Sequence, residues 1–316
     1  MLIFFRKWND FLSKNMFILV LSGLLLGFFI PIADSPFLRN LVVALFAYMT
    51  FITALSTSFK NFSNVLSKPW IPLFILFLVH FITPLMAWTL GILFYPADSD
   101  MRLGYLIGAS IPIGVTSIIW TSLLKGDLAL SFVAVTLDTF LAPILLPFLF
   151  HMIIGESIAM NYLQMVMDLM LMVTIPSIIG MLLHDWTKGK IASITHDIGG
   201  STGKLSLFFV IFINSGVVMP QIIWDFSILK ALLLTFCIVA TGFCVGYIGS
   251  FLLKKPTREI IITLIFNVGI RNNACGLVIA LTYFPPKVSI PITLSILYQQ
   301  PLATFASYLY KRLKTI

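Results

Sequence analysis

Charged residues are scarce in this chain. Only 10% of its 316 residues are Asp, Glu, Lys or Arg, while 59% are hydrophobic. A soluble domain carries about 25% charged residues, and a water-soluble core of this length cannot hide so much apolar surface. The missing charge therefore makes lipid the solvent. Cysteine is equally sparse. Cys237, Cys244 and Cys275 are odd in number, form no CxxC pair and lie inside apolar runs, which argues against a disulfide framework or a cysteine metal site. No His/Asp/Glu cluster has metal-ligand spacing, and no Ser–His–Asp arrangement can be read. The longest expected loop, about residues 184–203, is too short for a soluble catalytic domain. These gaps argue against an enzyme and against a metal or cofactor. No A-x-A site follows the first apolar run, so that run reads as a retained helix and not a cleaved signal. A filter motif of the kind that forms a channel ring is also missing. The net charge of +8 falls between apolar runs and forms no basic stripe with stacking aromatics. This argues against a nucleic-acid partner and leaves the lipid bilayer.

What the chain has is runs long enough to cross a bilayer, each about 20 apolar residues. Ten can be read: about 16–33, 39–57, 70–94, 102–123, 128–154, 161–183, 204–223, 228–253, 258–284 and 287–310. An even count puts both termini on one side. With the termini cytoplasmic, the inside set is Arg6, Lys7, Lys14, Lys60, Lys68, Lys125, Lys188, Lys190, Lys204, Lys254, Lys255, Arg258, Lys311, Arg312 and Lys314. The outside set is Arg39, Arg102, Lys230 and Lys287. The resulting count of 15 against 4 follows the positive-inside rule, because a wrong span count would scramble the alternation. The expectation is an all-α, multi-pass protein of the cytoplasmic membrane with cytoplasmic termini.

Five runs precede about residue 155 and five follow, so the halves have opposite topology. The fourth run is interrupted at Pro112 and Gly114, and the ninth at Gly269, Asn272 and Asn273. Pro143 in the fifth run and Pro301 in the tenth are 158 apart (301 − 143), half the chain length. The pattern reads as two inverted five-helix repeats, about 1–155 and 156–316. Interrupted helices at corresponding positions point to a midplane binding site, because their freed backbone groups need protein, water or ligand partners.

Arg271 lies near the middle of the ninth run, where an arginine costs about 2.5–3.5 kcal/mol on insertion scales. Such a residue faces a cavity or an opposite charge, in a binding site or in a purely structural ion pair. Asp138 lies deep in the fifth run and Asp168 nearer the outer end of the sixth. Either is a partner for Arg271, and depth favours Asp138, which is then a candidate proton or charge switch. Asp168 also reads as a headgroup-level residue. His80, just before Pro84 in the third run, is a hydrogen-bond partner between helices or a proton shuttle, while His151 reads as interfacial. Thr116, Ser117, Asn272 and Asn273 flank the two breaks. Helix N-termini exposed there would attract an anion, so these four residues with Arg271 form the candidate substrate site for a carboxylate or other oxyanion.

Two segments resemble a known family. KGDLALSFVAVTLDTFLAP, residues 125–143, resembles the Gly-Asp-x-Ala-Leu-Ser segment of the bile acid:sodium symporter family. NVGIRNNACGLVIAL, residues 267–281, resembles its Glu-Val-Gly-x-Gln-Asn-Ser-x-x-Gly signature. The third run, LVHFITPLMAW, resembles its Gln-containing third helix. The resemblance implies ten spans in two inverted repeats, with broken helices 4 and 9 crossing. It also implies a core of spans 3–5 and 8–10, and a panel of spans 1, 2, 6 and 7. The implied activity is secondary transport of organic anions, usually with two sodium ions beside the crossing. Arsenite- or auxin-like efflux carriers share the broader fold and are the alternative.

The departures fall on the sodium sites. Asn267 stands for the family's Glu, Arg271 for its Gln and His80 for the third-helix Gln. Ser117-Ile118 stands for Ser-Asn and Val135 for a Thr, whereas Ser131 is kept. Ser117, Ser131 and Asn267 thus become vestigial sodium positions. A guanidinium sits where a cation would bind, and His80, Asp138, Asn267 and Arg271 become the candidate coupling or charge-relay set. The expected function is alternating-access transport of a small organic anion, ion-coupled or uncoupled, with a proton or sodium as the coupling ion and the departures weighing against sodium. Sodium should therefore give no thermal stabilisation of the purified protein. A sodium-specific rise in melting temperature, absent with potassium, would contradict this reading.

Overall fold

The computed structural model describes residues 2–56, 58, 70–154, 161–222 and 225–313. Lys60, Lys68 and Lys314 of the charge count, the expected ends at 57 and 223, and the expected repeat boundary near 155 lie outside the described residues. Among the described residues the chain is helical, with one isolated two-residue bridge.

The helices are α1 Leu2–Lys14, α2 Met16–Phe29, α3 Pro36–Ala54, α4 Trp70–Phe94, α5 Ser99–Ser110, α6 Thr116–Leu123 and α7 Leu128–Ile154. They continue with α8 Tyr162–Trp186, α9 Lys190–Val218, α10 Phe226–Ser250, α11 Arg258–Gly269, α12 Asn273–Tyr283 and α13 Ser289–Leu313. Side chains start several of them. Ser35, followed by Pro36, accepts the Leu38 N–H to cap α3. Asp98 accepts the Met101 N–H at α5, and Thr257 the Ile260 N–H at α11. Each satisfies an N–H that the first turn leaves without a helical partner.

Among the described residues, six stretches are long and apolar enough to cross a membrane: α3, α4, Leu128–Ile153 of α7, α8, Thr195–Gln221 and α10. The pair α1–α2, bent by 78°, makes a seventh if taken as one span. The surface composition agrees with lipid as solvent. Phe29, Trp70, Trp186 and Phe226 are more than 80% exposed, while His80, Ser117, Ser131, Asp138 and Asn267 are fully buried. A water-soluble fold sorts these residues the other way round.

Two expectations are corrected. The stretch 184–203 is not a long polar loop. α8 runs to Trp186 and α9 starts at Lys190, leaving a three-residue turn with Gly189 at φ +76. The polar residues are helical because they have partners. Thr202 bonds Tyr48 of α3 at 2.6 Å, Ser201 donates to the Phe5 carbonyl, and Lys204 donates to Asn9. Those last two partners lie on α1, a basic amphipathic helix that the hydropathy pattern does not signal. The first expected run also ends early, at Phe29 instead of 33.

Prolines shape the interior. Pro84 lacks an N–H and crowds the turn before it, so Leu78–Ile82 of α4 widens to a π turn in which the Thr83 N–H reaches the Leu78 carbonyl. This wide turn carries His80. The segments expected as the fourth and ninth runs are each split, α5 from α6 at 111–115 and α11 from α12 at 270–272.

Helices without a hydrophobic driving force between them pack through small residues. α10 lies on α11 this way. A Cβ at Gly246 would stand 2.5 Å from the Leu264 carbonyl oxygen. Gly246→Leu should therefore lower stability in detergent by about 1–3 kcal/mol. Gly108→Ala, whose methyl would meet Ile292 at 3.4 Å, should leave the melting temperature unchanged or raise it. Equal melting of Gly246→Leu and wild type would remove the argument.

Candidate functional site

The two helix breaks meet. Ile113 and Arg271 form an antiparallel bridge in which the Gly114 N–H donates to the Ile270 carbonyl at 2.9 Å and the Asn272 N–H donates to the Pro112 carbonyl at 2.8 Å. Gly114 is required there, because a Cβ would lie 2.7 Å from the Arg271 carbonyl oxygen. Each break thus supplies the backbone partners that the other lacks.

Side chains complete the pairing. Gln299 of α13 accepts the Arg271 N–H through Oε1 and donates through Nε2 to the Arg271 carbonyl, both at 3.0 Å. Its Oε1 also accepts from Asn273 Nδ2 at 3.3 Å, and Ser295 Oγ donates to Asn273 Oδ1 at 3.1 Å. On the other break, Asp138 Oδ2 accepts the Ile113 N–H at 2.6 Å, and Asp138 Oδ1 lies 2.5 Å from His80 Nε2.

The expected Arg271–Asp138 ion pair is corrected. Asp138 pairs with His80, and among the described residues neither Asp138 nor Asp168 forms an ion pair with Arg271. The guanidinium is drawn instead toward α4, where Nη2 donates to Thr83 Oγ1 at 2.6 Å and weakly to the Val79 carbonyl at 3.4 Å. The π turn displaces the register of α4 just there, which brings His80 to Asp138 while Val79 and Thr83 meet Arg271. Asp168 is half-buried and accepts from Gln164 at 2.8 Å and from the Tyr283 hydroxyl at 2.9 Å. His151 is exposed and meets the edge of the Tyr162 ring at 4.9 Å.

Ser117, Ser131 and Asn267 also come together, fully buried. Asn267 Oδ1 accepts from Ser117 at 3.4 Å and from Ser131 at 3.3 Å, while its Nδ2 donates to Ser131 Oγ at 2.9 Å and to the Thr263 carbonyl at 2.9 Å. These oxygens satisfy one another without a cation, and no carboxylate is among them. Sodium favours several hard oxygens with a carboxylate among them, and this group supplies three side-chain oxygens and no carboxylate. Thr83 Oγ1 and the Val79 carbonyl, two further oxygens nearby, already accept from Arg271.

Thr116 opens α6 and is half-buried, one residue before Ser117. Asn272 faces its own helix, accepting the Cys275 N–H at 3.3 Å as the cap of α12. A cavity of about 40 Å³ adjoins the crossover, lined among others by Thr83, Thr235, Arg271, Asn273, Ser295 and Gln299. The residues that sequence reasoning missed are Gln299, Ser295 and Thr83. The only signal for Gln299 is its place in a Gln-Gln-Pro stretch inside the tenth apolar run.

A family model described as the Sodium Bile acid symporter family matches residues 42–224. An uncharacterized protein, YbaS, of Bacillus subtilis (strain 168) is 32% identical over 269 residues, covering 85% of this chain and 88% of that protein. An uncharacterized sodium-dependent transporter, YocS, of the same organism is 25% identical over 317 residues, covering 98% and 95%. A probable sodium/metabolite cotransporter of rice chloroplasts, BASS2 of Oryza sativa subsp. japonica, is 22% identical over 296 residues, covering 92% and 69%.

Because Gln299 satisfies both backbone groups of Arg271, Gln299→Leu should leave a buried N–H and a buried carbonyl without partners. The expected loss is about 1–3 kcal/mol for each group, read as a lower melting temperature in detergent. A variant as stable as wild type would show that the bridge holds without this side chain.

Proposed function

This chain belongs to the sodium bile acid symporter family and is a multi-pass secondary transporter, and we propose that it moves a small organic anion across the cytoplasmic membrane by alternating access, without sodium. The observation that carries the reading is the position of Arg271. A fixed cation, buried at the meeting of two broken helices, occupies the oxygens Thr83 Oγ1 and Val79 O with its own donors. Its positive charge favours an anionic cargo, and together with Asn273 it lines the cavity beside the crossover.

On this reading the chain crosses the membrane ten times in two inverted halves, with both termini cytoplasmic. The bridge residues support the repeat. Ile113 and Arg271 are 158 apart (271 − 113), the same offset that separates Pro143 of α7 from Pro301 of α13. The split pairs α5–α6 and α11–α12 then serve as spans 4 and 9.

The division into a moving core and a panel is supported by where backbones approach closely. Gly27 of α2 meets α9, and Gly180 of α8 meets α3. Gly104 of α5 meets Pro291 of α13, Gly246 of α10 meets α11, and Gly249 of α10 meets Leu78 of α4. The first group lies within spans 1, 2, 6 and 7, and the second within spans 3–5 and 8–10. The two groups also meet, through a shared apolar cluster that includes Leu24, Val42, Leu106 and Leu277 and through the Tyr283–Asp168 hydrogen bond. No observation of the site favours an arsenite- or auxin-like efflux carrier over this reading.

The test is a thermal-stabilisation screen of small carboxylates with and without sodium, followed by flux of the best ligand in liposomes. Saturable flux that is independent of sodium is expected. Sodium-driven uptake indifferent to a pH gradient would overturn the sodium-free part, and single-channel currents would overturn the transporter. Arg271→Gln combined with His80→Gln should introduce sodium-dependent stabilisation, and no gain would remove the idea that the guanidinium stands in for the ion.

A further inference from the structure

Two buried polar atoms at the crossover have no hydrogen-bond partner among the described residues, Arg271 Nη1 and His80 Nδ1. The second belongs to a fully buried imidazole whose other nitrogen is 2.5 Å from Asp138. We propose that the His80–Asp138 pair is a proton-binding site, and that Asp138 passes the arrival of the proton to the broken α5–α6 helix through the Ile113 N–H. The proposal rests on the transporter reading, for which it names the coupling ion.

With a neutral imidazole, Asp138 and Arg271 cancel. One added proton brings the cluster to +1, the change a sodium ion would have produced. Histidine is the side chain whose ordinary titration falls near neutral pH. The other ionisable groups facing the pair are the Arg271 guanidinium, from the α11–α12 link, and the Cys275 thiol of α12. The charged residues and histidines of the helices packed on α4 and α7 are Asp100 and Arg102 in α5, Asp168, His184 and Asp185 in α8, Lys230 in α10, and Arg258 and Glu259 in α11; Asp168 is held by Gln164 and Tyr283.

Geometry supplies the coupling. If Nε2 holds the hydrogen and donates to Asp138, Nδ1 carries only a lone pair, which is tolerable without a partner. A second proton would make Nδ1 a charged, buried donor with no acceptor, an unfavourable arrangement. The protonated pair is therefore disfavoured in this conformation and favoured in any conformation that gives Nδ1 an acceptor or water. A ligand shifts a conformational equilibrium only through such a difference in affinity. The link to motion is direct. Asp138 Oδ2 holds the N–H of Ile113, the residue bridged to Arg271, so a proton that moves onto the carboxylate weakens the bond fixing the break. The proton enters from one aqueous side and leaves to the other, and nothing is oxidised or reduced.

The test uses the purified full chain in detergent. A pH-indicator dye in weak buffer counts the protons taken up between about pH 8 and 5, the range in which histidine changes charge. His80→Gln and Asp138→Asn should each take up about one proton fewer than wild type. Equal uptake by all three would overturn the proposal. Because either variant could misfold, a second measurement uses wild type alone. Nitrogen-15 NMR of the histidine side chains should show a His80 resonance that titrates in this range, and a resonance that does not titrate would overturn the site. Hydrogen exchange of the peptide containing Ile113, corrected for intrinsic pH dependence, should rise at low pH in wild type. No rise would overturn the link. Saturable flux with a pair that does not titrate would leave the transporter and remove the proton site. A titrating pair with no solute flux would remove the transporter and the coupling with it.

Discussion

Two hydrogen bonds between interrupted helices, Gly114 to Ile270 and Asn272 to Pro112, hold this molecule's centre. A break in a helix within lipid leaves backbone groups that no water can satisfy. Here the two breaks satisfy one another as a short antiparallel bridge, and Gln299 satisfies both backbone groups of Arg271 from the side. Once the bridge forms, the surrounding chemistry has little freedom. Ile113 must present its N–H to α7, where Asp138 takes it. Arg271 must project its side chain away from the bridge, where α4 receives it.

The same bridge sets the electrostatics. A buried arginine needs partners, and the π turn before Pro84 places the Val79 carbonyl and Thr83 Oγ1 within reach. Arg271 thereby ties α4 to the α11–α12 link as a bound cation would, with one difference: it cannot leave. On the reading proposed above, the driving ion must then bind elsewhere. The Ser117–Ser131–Asn267 group, with its oxygens satisfied internally and no carboxylate, is a poor place for it. Asp138 is the remaining carboxylate at the crossover, and it shares its charge between His80 and a backbone N–H.

Much of this was legible in advance. Pro112, Gly114 and Gly269 mark the breaks because proline and glycine interrupt helices by local chemistry. Arg271 stands out because a charge inside an apolar run is costly wherever the chain folds. The misses have physical causes too. α1 and the first turns of α9 are polar enough to read as loop, and they are helical because Asn9, Lys204, Tyr48 and Thr202 find partners across helices. Gln299 and Thr83 look like ordinary polar residues near proline, and their role appears only when α13 and α4 approach the bridge. Depth in the membrane and a place in the implied core both favour Asp138 as the partner of Arg271, and both are too coarse to separate an imidazole from a guanidinium.

The sequence by itself determined the solvent, the helical content, the positions of the breaks and the family. Each of these follows from local composition or from short motifs, which carry their physics within a few turns of helix. Only the tertiary structure decided which charge meets which partner. Thr83 and Arg271 are 188 residues apart in the chain, and His80 and Asp138 are 58 apart. Whether such groups lie within hydrogen-bond reach depends on how two helices pack and on one widened turn, and a shift of a few ångströms would exchange the partners without changing a residue.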